Sequence, residues 1–229
     1  MAKKLSAALA AGCSVIAKPP EETPGCTSAL MRCVIDAGVP ANVAQLVYGV
    51  PDMVSRHLIG SKTIRKISFT GSTAVGKQLM IYAGQSNLKR VSLETGGKSP
   101  QIFMPDLEDM DAAVDRAIMG IFDNAGQVCN AGSRLLVHAD IHDAFVSRFT
   151  QRAGELYVTG DPLDPATSLG PVVSHAHQSS VLSCIDQGVQ QGAHIAVGGG
   201  SDAARPDGAY VTPTLATQVT PDMAIARAE

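Results

Sequence analysis

The chain has 229 residues, of which 45% are hydrophobic and 17% charged, and its formal net charge is −3. This composition is typical of a globular protein with a buried core and argues against a disordered or membrane-spanning chain. The slightly acidic balance and the absence of tryptophan offer neither the basic surface nor the stacking side chains that nucleic-acid binding needs. Five scattered cysteines predict reduced thiols and a cytoplasmic setting.

The N-terminus has two interpretations. Two lysines, a short apolar run over 5–12 and the sequence LAAGC faintly resemble a lipoprotein signal that ends at Cys13. The alternative is an alanine-rich helix that ends at Gly12, followed by a strand over 14–17. We favour the helix, because the apolar run is short and mostly alanine and the composition downstream is that of a cytosolic protein.

Short apolar runs alternate with helical patterns along the chain, which predicts β-α-β units and parallel pairing of strands. The segment ETGGKSP (94–100) has two glycines and a proline between apolar strands, and it predicts a hinge. We therefore expect two domains, residues 1–96 and 97–229. The predicted strands lie at 14–17, 44–49, 66–69, 89–94, 101–104, 134–138 and 194–199, and the predicted helices at 25–37, 53–60, 72–84, 108–123, 141–156 and 175–191.

The stretch FTGSTAVGKQ (69–78) follows a predicted strand and opens a predicted helix. Gly71, Gly76 and Lys77 fit the phosphate loop of an NTPase, but Gln78 stands where that loop needs a hydroxyl for Mg²⁺. Small residues at a helix N-terminus also admit the phosphates of a dinucleotide, because unpaired N–H groups point outward there. A plain strand–turn–helix connection is the third interpretation.

A lysine and two glutamates follow the first predicted strand, in the stretch AKPPEETP (17–24). In a parallel sheet, ligands bind at the carboxyl ends of strands, and a carboxylate there can accept both hydroxyls of an adenosine ribose. Lys18 and Glu21 are therefore candidate cofactor residues. The alternative is a solvated charged loop.

Two further residues are candidates for catalysis. Cys129 lies in NAGQVCNAGSR (124–134), where small and polar neighbours let a substrate approach and make apolar burial less natural than for most cysteines. Glu94 closes the otherwise apolar strand RVSLE, so we expect a partly desolvated carboxylate suited to act as a general base.

The segments KPPEETP, FTGSTAVGK, LETGGKSP and GQVCNAGSR, in this order and spacing, resemble the NAD(P)-dependent aldehyde dehydrogenase superfamily, as does GDPLDPATSLGPVVS. The resemblance implies an α/β fold with a Rossmann-like, dinucleotide-binding part and an α/β catalytic part that carries the cysteine. It implies that Cys129 attacks an aldehyde to give a thiohemiacetal, with its backbone N–H in the oxyanion hole. Loss of hydride then leaves a thioester, and Glu94 resembles the base that activates water to hydrolyse it.

The resemblance also implies the cofactor. A carboxylate at Glu21 would repel a 2′-phosphate, so NAD is favoured, with NADP as the alternative. One departure is Pro20, which stands where the family usually carries serine or threonine. The residues that match the family's dinucleotide contacts are Lys18 and Glu21 at the adenosine ribose, Ser72 at the pyrophosphate, Gly49 and Gly71 along the dinucleotide, Gly96 near the nicotinamide and Glu229 at the nicotinamide ribose.

The resemblance covers only the middle of a family member, so both parts of the fold are expected to be incomplete. It places the asparagine of the oxyanion hole before residue 1, and it places the rest of the catalytic part and the oligomerisation strand after residue 229. The family is typically homo-oligomeric, and its small-molecule substrate is an aldehyde. The alternative to an active enzyme is therefore a fragment without turnover that at most binds a dinucleotide.

The remaining histidines and cysteines are not predicted to form sites. The pairs His138 with His142 and His175 with His177 have short spacings, but we expect exposed side chains rather than metal ligands. The other cysteines are predicted to be packing residues because their surroundings are apolar or small. They are Cys13, Cys26, Cys33 and Cys184.

Overall fold

The computed structural model describes residues 1–228. Within that range, helices and strands alternate along most of the chain. The helices are α1 (Ala2–Ala10), α2 (Pro24–Asp36), α3 (Pro51–Gly60), α4 (Thr73–Gly84), α5 (Met110–Phe122), α6 (Ala139–Leu156), α7 (His175–Gln190) and α8 (Ala224–Arg227). The strands are β1 (Val15–Ala17), β2 (Ala44–Leu46), β3 (Lys66–Gly71), β4 (Arg90–Thr95), β5 (Pro100–Phe103), β6 (Arg134–Val137), β7 (His194–Val197) and β8 (Leu215–Thr217).

The chain divides into two compact units, Met1–Thr95 and the residues from Gly96 onward. The division lies within the predicted hinge at 94–100. That one unit binds the cofactor and the other carries the nucleophile stays a prediction. None of the helices in residues 1–228 is both long and apolar enough to cross a membrane.

In the first unit, strands pair in parallel across helical connections. β1 pairs with β2 across α2, and β3 pairs with β4 across α4, in a register from Lys66↔Arg90 to Gly71↔Thr95. Parallel pairing brings the carboxyl ends of the two strands of each pair to the same edge. The loops that follow paired strands therefore start side by side.

The N-terminal helix ends as the sequence predicts. Gly12 has φ +73°, and its N–H donates to the Leu9 carbonyl while the Cys13 N–H donates to the Ala8 carbonyl. This pair of bonds is the Schellman motif, in which glycine adopts the left-handed conformation at little cost. The helix then packs through Leu5 against a small core with Ala17, Met31 and Ala44.

The second unit is built around α5 and α6. β5 pairs in parallel with β6, whereas β7 pairs with β8 in antiparallel orientation. The core between the helices and β5 contains Val114, Ile118, Phe145 and Phe149, each almost fully buried. At the surface, Arg148 makes a bidentate pair with Asp111 (2.6 and 2.9 Å), and Arg152 pairs with Asp115 one turn further along. The Arg152 hydrogen bond lowers the pKa of Asp115.

The α/β fold with parallel pairing is confirmed, with three differences of detail. The strands described here form four two-stranded sheets rather than one larger sheet. The strand predicted over 44–49 ends at Leu46, since Gly49 turns the chain with φ +145°. Helix α3 begins at Pro51, two residues before the predicted start, because proline is well suited to the first helical position.

Candidate active site

Lys18 and Glu21 are joined at the carboxyl end of β1. The Lys18 Nζ donates to the Glu21 Oε1 at 2.6 Å, and this hydrogen bond lowers the pKa of the Glu21 carboxyl. The Lys18 side chain is 18% exposed and the Glu21 side chain 44% exposed. The result is an ionised carboxylate held in place at a strand end, with oxygen atoms accessible to hydroxyl groups of a ligand.

Gly49 lies in the loop after β2, at the same edge. The Val47 N–H donates to the Ala17 carbonyl at 3.0 Å, so the chain leaves β2 beside the end of β1. At φ +145°, a side chain would be strained, and a Cβ at Gly49 would lie 3.0 Å from Val54 Cγ2. This position therefore requires glycine. The backbone geometry explains the glycine by itself, which is an alternative to the predicted contact with a dinucleotide.

Gly71 and Ser72 form a very short connection between β3 and α4. A Cβ at Gly71 would lie 2.5 Å from the Phe69 ring, and the Ser72 Oγ accepts a hydrogen bond from the Val75 N–H at 3.3 Å. Gly71, Ser72 and Thr73 are all exposed, and the first turn of α4 carries no acidic residue. The N–H groups and positive end of this helix are thus open to an anionic ligand.

The same connection does not form an NTPase phosphate loop. A phosphate loop has several residues between its strand and its helix, whereas only Ser72 separates β3 from α4. Gly76 and Lys77 lie inside α4, and a Cβ at Gly76 would contact Leu93 Cδ1 at 3.3 Å. The second glycine of FTGSTAVGKQ therefore allows close packing of the helix on β4.

Glu94 is the penultimate residue of β4, paired in register with Thr70. The prediction that its carboxylate is partly desolvated is wrong, because Glu94 is exposed at the strand end.

Lys4 on α1 was not identified from the sequence, although the Glu94 charge acts on it. Burial lowers the pKa of Lys4, and the Glu94 carboxylate opposes that shift. Nothing distinguishes Lys4 from Lys3 in the sequence, because only the fold half-buries one of the two.

In the second unit, Cys129 is exposed and follows an unusual turn. Asn124, Ala125 and Gly126 have φ values of +51°, +54° and +76°, a left-handed run that is strained for the two residues with side chains. Two side-chain bonds brace it. The Asn124 Nδ2 donates to the Gln127 carbonyl at 3.2 Å, and the Gln127 Nε2 donates to the Asn124 carbonyl at 3.1 Å.

The turn is also tied to the rest of its unit. The Tyr157 hydroxyl donates to Asp123 Oδ1 at 2.6 Å, and the Val173 N–H donates to Gln127 Oε1 at 2.8 Å. Burial, reinforced by the bond to Asp123, raises the pKa of Tyr157. Tyr157 is therefore a protonated donor that fixes the start of the turn.

The backbone at Cys129 remains available for interactions. Within residues 1–228, its N–H donates to no protein acceptor. A Cβ at Gly97 would lie 3.9 Å from the Cys129 carbonyl oxygen, so the segment after the half-buried Gly96 passes close to the cysteine. An N–H without an acceptor, next to an exposed thiol, can donate to an oxyanion formed on that sulfur's adduct.

The other predictions have mixed outcomes. Glu229 lies outside the described residues. The prediction that Cys13, Cys26 and Cys33 are packing residues is wrong, because all three are exposed, while Cys184 is half-buried. Cys26 and Cys33 are exposed because α2 buries Thr27 and Met31 on another face.

Two other kinds of site concern the described residues 1–228, namely metal clusters and ligand grooves. Among residues 1–228, no group of three or more His, Cys, Asp or Glu side chains could hold a metal ion. An open groove of about 570 Å³ runs along β5, β6, α6 and β8, with Phe103, Leu136 and His142 in its wall. It contains none of the predicted site residues.

Similarity to known proteins extends over the whole chain. Residues 1–229 match the aldehyde dehydrogenase family. The chain is 42% identical over 228 residues to an aldehyde dehydrogenase of Enchytraeus buchholzi, which covers 100% of this chain and 45% of that protein. It is 42% identical over 226 residues to aldehyde dehydrogenase, cytosolic 1, of Rattus norvegicus, covering 99% and 44%.

A solved structure agrees. An indole-3-acetaldehyde dehydrogenase in complex with NAD⁺ superposes with a TM-score of 0.95 at 42% identity, covering 99% of this chain and 46% of that one. The chain thus spans less than half the length of these relatives, and over that span both sequence and fold agree. The resemblance found in the sequence is confirmed: this chain belongs to the aldehyde dehydrogenase family.

Proposed function

We propose that this chain carries the chemistry of an NAD⁺-dependent aldehyde dehydrogenase, with Cys129 as nucleophile and Glu94 as general base. The observation that carries the proposal is that Cys129 is exposed and that its backbone N–H has no acceptor within residues 1–228. The turn before it is held by hydrogen bonds between Asn124 and Gln127. A nucleophile needs access to substrate, a fixed orientation and a donor for the developing oxyanion. Membership of the family supports assigning these features to aldehyde oxidation.

The first step is addition to the aldehyde. The Cys129 sulfur, as thiolate, forms a bond to the carbonyl carbon while the π electrons move to oxygen, and the Cys129 N–H donates to that oxygen. When bound, NAD⁺ supplies the acceptor for the hydride that leaves this carbon with its electron pair. The oxygen then re-forms its double bond, which leaves a thioester on Cys129 and balances the two-electron oxidation.

The second step is hydrolysis. Glu94 takes a proton from water as the water oxygen bonds to the thioester carbon, and the carbon–sulfur bond breaks to release the carboxylic acid and the thiolate. The exposed position of Glu94 at the end of β4 is compatible with water access.

The first unit has the features expected of a dinucleotide site. Glu21, held by Lys18, is placed to accept the adenosine ribose hydroxyls, and Ser72 opens a helix whose N-terminus suits a pyrophosphate. Gly49 and Gly71 keep the backbone accessible at the two strand edges, and Gly96 and Glu229 complete the proposed set toward the nicotinamide. The Glu21 charge favours NAD⁺ over NADP⁺.

The cellular setting is proposed to be cytoplasmic, because the cysteines of this chain are unpaired and a relative from rat is named cytosolic. The proposed partner is a small aldehyde, neither nucleic acid nor a membrane. Self-association into a homo-oligomer, as is typical of the family, is a further part of this proposal.

A second candidate function is dinucleotide binding without turnover. The observation that favours it is that Glu94 is exposed at the end of β4 and lacks the desolvation expected of a general base, whereas Lys18 and Glu21 are joined in the first unit. In this case the first unit would bind NAD⁺, and Cys129 would react with thiol reagents but not with aldehydes in a catalytic cycle.

Aldehyde oxidation distinguishes the two candidates. Purified chain is mixed with NAD⁺ and, in separate reactions, propanal, phenylacetaldehyde or aminoacetaldehyde, and NADH formation is followed by absorbance. We expect Cys129→Ala to reduce the rate by at least about 1000-fold, because the covalent route is lost. Cys33→Ala, which removes another exposed cysteine, should change the rate by less than about twofold.

Folded chain that forms no NADH with any of the three aldehydes, yet binds NAD⁺ in a calorimetric titration, would contradict the enzyme proposal and support the second candidate. Equal rates in the Cys129→Ala variant and the unmodified chain would contradict the assigned nucleophile.

A further inference from the structure

Gln101 is a half-buried residue of β5 whose side chain connects two other segments of the second unit. Its Nε2 donates to the Ala117 carbonyl of α5 at 3.1 Å and to the Gly132 carbonyl at 2.9 Å. Gly132 lies three residues after Cys129, in the loop that leads into β6. The amide therefore links a strand and a helix of the core to the loop that carries the cysteine.

Two glycines make room for this amide. A Cβ at Gly120 would lie 3.0 Å from the Gln101 Nε2, and a Cβ at Gly132 would overlap the same side chain. The Gly132 N–H also donates to the Gly120 carbonyl at 2.8 Å. Helix, loop and glutamine thus form one closely packed arrangement that larger residues at either glycine would disrupt.

The two carbonyl groups that face the Gln101 side chain favour glutamine at this position. Both neighbours of the Nε2 are carbonyl oxygens, so the nitrogen end of the amide must face them, and both of its hydrogens are used. A glutamate would place acceptor against acceptors, and a methionine of similar length would leave both carbonyls without this donor. The alternative amide, asparagine, is shorter by one methylene group.

Within residues 1–228, few hydrogen bonds connect the cysteine loop (residues 127–133) to other elements. From residue 127 to residue 133, the bonds Val128 N–H to Gly126 carbonyl, Ala131 to Val128 and Ser133 to Ala131 are all local. Within residues 1–228, this loop is tied to other elements at its start by Gln127 with Val173 and at its end by Gly132 with Gly120 and Gln101. Gln101 supplies one of these end points.

We infer that Gln101 is a positioning residue for Cys129: its bond to the Gly132 carbonyl fixes the end of the loop and thereby the direction in which the thiol and the Cys129 N–H point. This inference rests on the proposed function only in assigning Cys129 as the nucleophile. Small displacements of a nucleophile reduce rates strongly, because the reacting atoms must meet within a narrow range of distance and angle.

The test compares Gln101→Met with a matched control, Gln178→Met. Gln178 on α7 also donates through its Nε2 to two backbone carbonyls, those of Tyr210 (2.7 Å) and Gly208 (3.4 Å), and it is half-buried in the same unit. Its carbonyl partners lie outside the cysteine loop. Both variants lose a pair of bonds to backbone carbonyls, and Gln178→Met also loses the contact of Gln178 Oε1 with His175 Nδ1 at 3.3 Å, so a general loss of stability would affect the control at least as much.

Three quantities are measured in each variant: kcat for aldehyde oxidation, the Kd for NAD⁺ by calorimetry, and the rate of iodoacetamide modification of each cysteine by mass spectrometry. We expect Gln101→Met to lower kcat by at least about tenfold and to leave the Kd for NAD⁺ within about twofold of the original value. The modification rate of Cys129, relative to Cys33 in the same molecule, should change by at least about threefold, a modest change for a displaced reactive group. Gln178→Met should change neither kcat nor this ratio.

An unchanged Cys129 ratio in Gln101→Met, or equal changes in the two variants, would overturn the inference. If the unmodified chain forms no NADH, the proposed function fails, but the modification ratio still decides whether Gln101 positions Cys129. Should Gln101→Met not fold, Gln101→Leu is measured in the same way, since it removes the donors without placing a charge against the two carbonyl oxygens.

Discussion

At the scale of single residues, Lys89 is the clearest case of a charged group that the fold buries. Its side chain is 6% exposed, and its Nζ donates to the carbonyls of Ile59 and Ser61 (2.9 Å for Ser61) and to Ser86 Oγ at 3.3 Å. These carbonyls lie at the end of α3, where a positive charge also interacts favourably with the helix dipole. Lys89 thus acts as a cap supplied from a distant part of the chain.

This burial makes stability depend on pH. Burial, with a smaller effect of Arg65, lowers the pKa of Lys89 from 10.5. Between the lowered pKa and 10.5 the unfolded chain binds more protons than the folded one, so this lysine makes the free energy of unfolding increase as pH rises through that window. We expect Lys89→Met to lose about 1–3 kcal/mol at neutral pH, since two carbonyls lose a donor.

The difference between the unmodified chain and Lys89→Met should then grow as pH approaches 10.5, and urea unfolding at a series of pH values measures it. The exposed lysine at position 66 provides the control for loss of a lysine side chain, and Lys66→Met should change the free energy of unfolding at neutral pH by less than about 0.5 kcal/mol. A difference that stays constant or shrinks with pH would show that Lys89 does not carry the expected linkage.

At the scale of elements, α6 is held mainly by aromatic packing. The Phe145 ring is fully buried, with its centroid 4.6 Å from that of Phe103 on β5 and 6.5 Å from that of Phe149 one turn later. Phe149 in turn lies 6.1 Å from Phe122, which contacts Tyr157 at 5.6 Å. This series of rings links β5, α5 and α6 to Tyr157, whose hydroxyl donates to Asp123.

We expect Phe145→Ala to lower the free energy of unfolding by about 3–5 kcal/mol, because the removed ring leaves a cavity between β5 and α6. Urea unfolding followed by circular dichroism measures the loss. Leu163→Ala, at a side chain 91% exposed, should cost less than about 0.5 kcal/mol. Similar losses in the two variants would contradict the assignment of Phe145 to the core.

Most elements of this fold could be predicted from the sequence, because alternating apolar runs and helix-ending glycines act locally. Those signals explain why the chain turns at Gly12 after α1, and the Ser174 cap, whose Oγ accepts the His177 N–H, likewise explains why α7 begins at the predicted residue, His175. The early start of α6 could not be predicted, since its cap is His138, whose Nδ1 accepts the Asp140 N–H at 3.3 Å, and histidine is not among the common caps.

At the scale of the whole molecule, motifs indicated the family and the candidate site, but not the contacts that support that site. Cys129 is part of a recognisable segment, whereas Gln101 and Gly132 meet only after β5 and the cysteine loop come together. The exposure of Glu94 likewise depends on what packs around the end of β4, which its apolar neighbours in sequence do not specify. Side-chain partners far apart in sequence are set by tertiary packing.

The preference of the folded chain for NAD⁺ or NADP⁺ is expected to depend on one charge, that of the Glu21 carboxylate. The Glu21 carboxylate, kept ionised by Lys18, should attract ribose hydroxyls and repel a 2′-phosphate. We therefore expect NAD⁺ to raise the free energy of unfolding by about 2.7 kcal/mol at a concentration of 100 times its Kd. The same concentration of NADP⁺ should give a clearly smaller increase.

Glu21→Gln keeps the shape of the side chain and removes its charge, so the ratio of the two dissociation constants should move toward NADP⁺ by about tenfold, equivalent to about 1.4 kcal/mol. Glu22→Gln, one residue further along the same exposed loop, is the matched control and should leave the ratio unchanged. Calorimetry with each dinucleotide measures the ratio without any need for turnover. A preference for NAD⁺ that persists in Glu21→Gln would mean that another group excludes the 2′-phosphate, and Glu21 would lose its proposed role.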